Sequence, residues 1–353
     1  MTTAVKDLFN VQVRRVPRIG ACALVDNDVH LGIEIEMENV QTPSGHDFSD
    51  SNTARAEVER AGWRVTTDGS LVNGMEFVFA DAMLGVEAEE ALKKLEANVR
   101  FAPSHRASTH IHVDWSSVDD ASSLISLAGL LYCFEPAIFN IVMEGRKSNN
   151  YCRPLETVGT AALVPLFTKG VTYLAGGYLG GAVSRGDTTY RYFGANFISL
   201  SKYGTVEFRY FPSPTSANDV LFWTNICLCL RRAALGMAKD GINVLEALST
   251  TSGIASIVDK YFSDKQVRDA MLLALDIELA AERMRVMGLL VAADPQTTPE
   301  RAAVSRSMRR LLDNMVIPPE AKERMTALTA LRAGIAEGRD AAEIRRNIRT
   351  IVH

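Results

Sequence analysis

Cysteine is scarce and odd in number: five in 353 residues, without framework spacing. That excludes a disulfide-stapled secreted module and points to a reducing compartment, expected to be the cytoplasm. Cys227 and Cys229 flank Leu228 in what reads as a buried helix, so they cannot easily face one metal and are taken as core thiols. Long hydrophobic runs are missing as well. No stretch is expected to supply the roughly 18 apolar residues that cross a bilayer. The nearest, 121–134, reads as amphipathic and closed by Glu135. Residues 1–20 lack an apolar signal core and carry Arg14, Arg15 and Arg18, so no membrane partner is expected. Neither a Gly-x-x-x-x-Gly-Lys-Ser/Thr element nor a Gly-x-Gly-x-x-Gly element occurs, which argues against P-loop or Rossmann nucleotide binding. Internal repeats and low-complexity tracts are absent too.

What is present is the composition of an ordinary globular protein, 47% hydrophobic and 23% charged, and long enough to bury a large core. The net charge of −4 hides an asymmetry. Residues 300–353 carry 11 Lys/Arg against 7 Asp/Glu, whereas the preceding residues carry 27 against 35. A basic tail could contact nucleic acid or another protein. Its charges alternate in sign at helical spacing, however, so a solvated helical face is the preferred reading and nucleic acid is not expected.

Residues 1–29 read as an irregular lead-in with an edge strand at most. From residue 30, short strands alternate with helices: strands at 30–38, 63–66, 75–79, 109–115 and 205–211, helices at 53–61 and 85–99. Ser116-Ser-Val-Asp119 resembles a capping box opening a helix that runs to about Glu144. Past Asn218 the strands stop; Asn218 or Asp219 is expected to cap a helix to about Lys239, with further helices to the end. The predicted fold class is therefore α+β, with a lead-in (1–29), a catalytic domain (30–240) and a helical C-terminal region (241–353).

The chemistry lies in the strand faces. Successive side chains of a strand point to opposite faces. In His30-Leu-Gly-Ile-Glu-Ile-Glu-Met-Glu38 this puts Glu34, Glu36 and Glu38 opposite a stripe of Leu31, Ile33, Ile35 and Met37. Gathered like charges repel, and the natural partner for such a face is a hard divalent cation. Gly74-Met-Glu-Phe-Val-Phe79 sets Glu76 against three apolar residues; alone, Glu76 reads as solvent-facing. Thr109-His-Ile-His-Val-Asp114 aligns His110, His112 and Asp114, and two of six histidines at i and i+2 suggest a ligand or phosphate-facing role. Thr205-Val-Glu-Phe-Arg209 pairs Glu207 with Arg209, which suits a held phosphoryl group or a plain salt bridge. If these faces line one sheet, Glu34, Glu36, Glu76, His112 and Glu207 converge. Oxygen-rich donors with one imidazole suit Mg²⁺ or Mn²⁺ better than a structural Zn²⁺.

Over roughly 30–225, the order and spacing of Gly32-Ile-Glu-Ile-Glu36, Asp68-Gly-Ser70, Gly74-Met-Glu76 and Thr109-His-Ile-His-Val-Asp114 stand out. Arg146 before Tyr151-Cys-Arg-Pro154, Arg191-Tyr192 with Asn196, and Thr205-Val-Glu-Phe-Arg209 with Trp223 continue the series. Together they resemble the putative amidoligase family, related to γ-glutamylcysteine ligases and, more distantly, glutamine synthetase. The resemblance implies a curved antiparallel sheet of glutamine-synthetase-like type that binds ATP and two or three Mg²⁺. It also implies formation of an amide bond between a small-molecule or peptide carboxylate and an amine, through an acyl phosphate. Implied metal ligands are Glu34, Glu76 and Glu207 for one cation and Glu36 with His112 for another. Arg209, Arg146 and Arg191 would neutralise the transferred phosphoryl group, with His110, His112, Arg153 and Asn196 at the nucleotide. One departure is notable: the family commonly has glycine just before His-x-His, where this chain has Ser108-Thr109. The Gly-rich segment 175–181 suits a lid or a plain loop equally. A metal-dependent hydrolase and a non-catalytic, partner-binding scaffold remain alternatives, and homo-oligomer formation is open.

Overall fold

The alternation of β1, Leu31–Glu38, decides the layering. Leu31, Ile33, Ile35 and Met37 are at most 1% exposed, while the glutamates between them are half-buried. Burying each such side chain contributes about 1.5–3 kcal/mol, which ties this face to the core. The structure is a computed structural model and describes residues 2–9, 23–142, 146, 149–155, 160–179 and 189–292.

β1 is joined by β2 (Trp63–Asp68), β3 (Gly74–Phe79), β4 (Ser108–Asp114), β5 (Ala195–Asn196) and β6 (Thr205–Pro212). They form one antiparallel six-stranded sheet in the order β2-β3-β1-β4-β6-β5. The fold is thus α+β, with the predicted strands at nearly their predicted bounds; β5, only two residues long, has no sequence pattern to announce it. Between β2 and β3, Asp68 accepts from the Ser70 amide at 2.7 Å, so Asp68-Gly-Ser70 is the expected tight turn.

The helices are α1 (Val5–Phe9), α2 (Asn52–Arg60), α3 (Gly85–Asn98), α4 (Ser123–Val142), α5 (Thr160–Lys169), α6 (Val171–Tyr173), α7 (Ser199–Tyr203) and α8 (Ala217–Lys239). They continue with α9 (Val244–Ala247), α10 (Thr251–Tyr261), α11 (Lys265–Ala274) and α12 (Ile277–Ala292). Met1–Ala302 makes one compact unit. In it α4 packs on α8 and β6, α8 packs on β4 and α3, and α12 packs on α4 and α5. Trp63 donates its indole N–H to the Ala91 carbonyl at 2.9 Å, fastening the β2 edge to α3. Glu135, 1% exposed in mid-α4, accepts from the Tyr210 hydroxyl at 2.9 Å and the Leu155 amide at 2.6 Å, which satisfies a buried carboxylate.

Four expectations are corrected. In the lead-in, Val5–Phe9 is helical and no edge strand occurs among the described residues. Ser116 and Ser117 donate to the Asp114 carboxylate instead of opening a helix, and α4 starts only at Ser123. The α8 cap is Ser216, in a reciprocal capping box with Asp219. Two helices, α4 and α8, are long and apolar enough to cross a membrane, unlike the expectation; 72% and 78% of their apolar windows are buried inside the protein, as core helices are. Glu135 does not close the apolar run, because Tyr210 and Leu155 supply its partners within the core. Leu174–Leu179 is a π-helical turn; the remainder of the Gly-rich segment and the C-terminal helices expected past 292 lie outside the described residues.

Candidate active site

Strand register assembles the polar face. Glu36 stands opposite Glu76, Glu34 opposite His110, Gly32 opposite His112, His112 opposite Glu207, and Glu207 opposite Asn196. Directly paired residues share a face, so five strands present one continuous row. A bulge between Thr109 and Ile111 relative to β6 keeps this alignment. It leaves Glu207 and Arg209 with the polar row, while Phe208, Tyr210 and Phe211 are fully buried.

His110 Nδ1 lies 3.1 Å from Glu34 Oε2 and 3.7 Å from Glu207 Oε1. His112 Nε2 is 3.6 Å from Glu34 Oε1, and its Nδ1 is 3.0 Å from Thr205 Oγ1. Asn196 Nδ2 and Ser199 Oγ donate to Glu207 Oε2 at 2.6 and 3.2 Å, and Arg209 pairs with Oε1. Burial opposes charge on Glu34, but hydrogen bonds from His110 and His112 and their charges outweigh it and hold this carboxyl well below the ordinary range. Glu207 is likewise held down against its burial, chiefly by Arg209. Glu76 moves the other way: burial and then the Glu34 charge raise it, against the Thr66 hydrogen bond.

Glu34, His112 and Glu207 offer ligand atoms that all lie within 4.8 Å of one another. Cations of the Mg²⁺ class bind oxygen at about 2.0–2.1 Å in octahedral geometry, which spaces ligand atoms by about 3 to 4 Å. The donor set fits such an ion: two carboxylates kept ionised, plus an imidazole whose Nδ1 is engaged by Thr205 and whose Nε2 faces the carboxylates. Glu36 and Glu76 lie beside this triad on the same face.

The arginines divide. Arg209 also donates Nε to the Tyr151 carbonyl at 3.1 Å. Arg146, 4% exposed, spends Nε on the Tyr210 carbonyl and Nη2 on that of Arg209, at 3.3 and 2.8 Å, so it clamps the bulged part of β6 from below. Arg153 joins the Phe193 segment by a parallel bridge and bonds the Asn150 carbonyl. Arg191 is exposed over the Tyr192 ring, and among the described residues it makes no hydrogen bond to the cluster. The structure therefore brings the acidic residues, both histidines, Asn196 and Arg209 together, and leaves Arg153 and Arg191 at the flank.

A cavity of about 690 Å³ opens at the His112 end, with Gly32, Glu34, Val78, Arg64, Lys202 and Tyr203 among its lining. Its size is that of a small-molecule or cofactor pocket.

Residues 83–231 match the family model described as putative amidoligase enzyme. The matched span holds β4, β6, His110, His112 and Arg146, Arg153, Arg191 and Arg209, and covers less than half of the chain. It supports ligase chemistry and bears out the resemblance read from the motifs. No curated protein matches the chain. Glu34, Glu36 and Glu76 fall outside the matched span; backbone pairing of β1 and β3 delivers them to it. Thr66, Ser108, Ser199 and Thr205 also serve the site without having been anticipated. A hydroxyl on a strand or a short helix carries no sequence signal of its own, and only the tertiary structure shows which carboxylate or imidazole it meets.

Proposed function

We propose that this face is the active site of an ATP- and Mg²⁺-dependent ligase that joins a carboxylate to an amine through an acyl phosphate, on a sheet of glutamine-synthetase-like type. The observation that carries this reading is the Glu34–His112–Glu207 triad, set beside Arg209 and a nucleotide-sized cavity in a chain with an amidoligase match. Glu34 and Glu207 would hold one cation with His112, and Glu36 and Glu76 would serve a second. Bound cations would supply charge neutralisation for phosphate oxygens.

The chain's own part follows from its geometry. Arg209 stands at the edge of the triad, its guanidinium on Glu207, and would turn to the phosphoryl oxygens as negative charge spreads over them. Arg146 is buried beneath and would act by holding the β6 backbone that carries Arg209. Arg191 and Arg153, on the flank, would contact the nucleotide or acyl substrate. Such chemistry rests on positioning and charge stabilisation more than on proton transfer.

Calorimetric titration with a non-hydrolysable ATP analogue, with and without Mg²⁺, tests the proposal in the wild type, Glu34→Gln and Glu207→Gln. Magnesium-dependent binding weakened at least tenfold in both folded variants supports it. A wild type that binds no analogue under either condition sinks it.

A further inference from the structure

The row contains a second arrangement that the triad does not use. Ser108 is 8% exposed, and both its backbone N–H and its Oγ donate to the same oxygen of Glu36, Oε2, at 2.9 and 2.7 Å. The same Oγ lies 3.0 Å from His110 Nε2, and His110 Nδ1 is 3.1 Å from Glu34 Oε2. Glu36 is thereby linked to Glu34 through two intervening side chains, Ser108 and His110. Both His110 ring nitrogens are engaged and the residue is 5% exposed. His112, two residues on, keeps Nε2 for the triad.

Glu36 needs such a hold. It stands directly opposite Glu76, a pairing of like charges that favours turning one carboxylate out to solvent. Two donors on Oε2 hold the carboxylate in place, and among the described residues no hydrogen bond is made by Oε1.

Resting on the ligase reading above, we infer that Ser108 is a positioning residue: with His110 it braces Glu36 against Glu76 and so prepares the second cation position, while it reaches the Glu34–His112–Glu207 position only at one remove, through His110. His110 in this arrangement orients carboxylates and is itself no ligand.

The test is titration of the purified full chain with Mn²⁺, read by electron paramagnetic resonance as the number and affinity of bound ions. Wild type, Ser108→Ala and Ser108→Thr are compared, with circular dichroism confirming that each is folded. The expected result is two bound ions in the wild type and one tight ion in Ser108→Ala, the second weakened at least tenfold, a loss typical of removing a partner behind a ligand. Ser108→Thr, which keeps the hydroxyl, should restore the second ion. Unchanged stoichiometry and affinity in Ser108→Ala would overturn the brace while leaving the ligase reading intact. Equal weakening of both ions would also overturn it, because Ser108 would then support the whole cluster. A wild type that binds no Mn²⁺ would overturn both readings at once.

Discussion

Nδ1 of His110 and Oε2 of Glu34 meet at 3.1 Å across the β1–β4 pair, although the two residues lie 76 positions apart in the chain. This contact joins the span that matches the amidoligase family to an acidic strand outside it. Several measurable consequences follow from it and its neighbours.

Glu76 carries its charge against resistance, because burial and Glu34 both oppose it. Glu76→Gln removes a like charge opposite Glu36 and is expected to raise stability by about 0.5 kcal/mol, a small gain because the group is half-exposed and screened. Metal-dependent function should fall at the same time. Paired thermal melts and Mn²⁺ titrations check this; a destabilised variant would count against the like-charge argument.

Thr205 engages His112 Nδ1, which sets the ring so that Nε2 faces the carboxylates. Thr205→Val is expected to weaken metal binding about 10- to 100-fold with little change in melting temperature, and Thr205→Ser to recover most of it. Equal affinities in all three proteins would show that the ring is held by its packing alone.

Gly32 faces the same ring from β1. A methyl group there would sit 3.2 Å from His112 Cβ, closer than side chains normally approach. Gly32→Ala should therefore displace the imidazole by a few tenths of an ångström and reduce Mn²⁺ affinity, an effect visible as shifted His112 imidazole resonances in the metal-free protein. Unmoved resonances would show that the strand backbone absorbs the contact.

Away from the site, Tyr210 donates to Glu135 in the core. Tyr210→Phe leaves that carboxylate with one fewer partner at 1% exposure and is expected to cost about 1–3 kcal/mol in urea unfolding, with an unchanged denaturant slope. A loss below about 0.5 kcal/mol would mean that the carboxylate's remaining partners suffice, since a net hydrogen bond is worth about that much at least.

Stability should also fall at alkaline pH. Burial pushes the Cys133 and Cys152 thiols up to about 12 and Cys229 up to about 11, and raises Tyr210 as well. In the unfolded chain these groups release protons earlier, near their ordinary values. Stability is therefore complete below pH of about 9 and declines as pH rises toward 11–12, by up to about 1.4 kcal/mol per unit for each thiol. Urea unfolding at pH 8 and 10.5 under reducing conditions measures the slope; a flat profile would mean that the thiols are reached by solvent.

Much of this was legible in local pattern. The period-two alternation in 30–38 and 109–114 announced both the strands and the polar face, because side chains on a pleated backbone alternate whatever the partner strand. Helix starts were less legible. Ser116 looked like a cap by composition, yet Asp114 two residues before it captured both serine hydroxyls locally. The apolar run through Glu135 illustrates the same limit, since a carboxylate in mid-helix reads as an end unless its partners from Tyr210 and Leu155 are known.

By itself, then, the sequence determined five of the six strands, their two faces and the donor types, since those depend on side-chain chemistry and a period of two. The tertiary structure alone decided the sheet order, and with it that Glu34 meets His110, that Glu207 meets His112, and that Ser108 and Thr205 meet Glu36 and His112. It also sent Arg146 to backbone carbonyls in place of the open face. The physical reason is that register between strands many residues apart is set by packing of the whole apolar face, a sum over contacts that no local window contains.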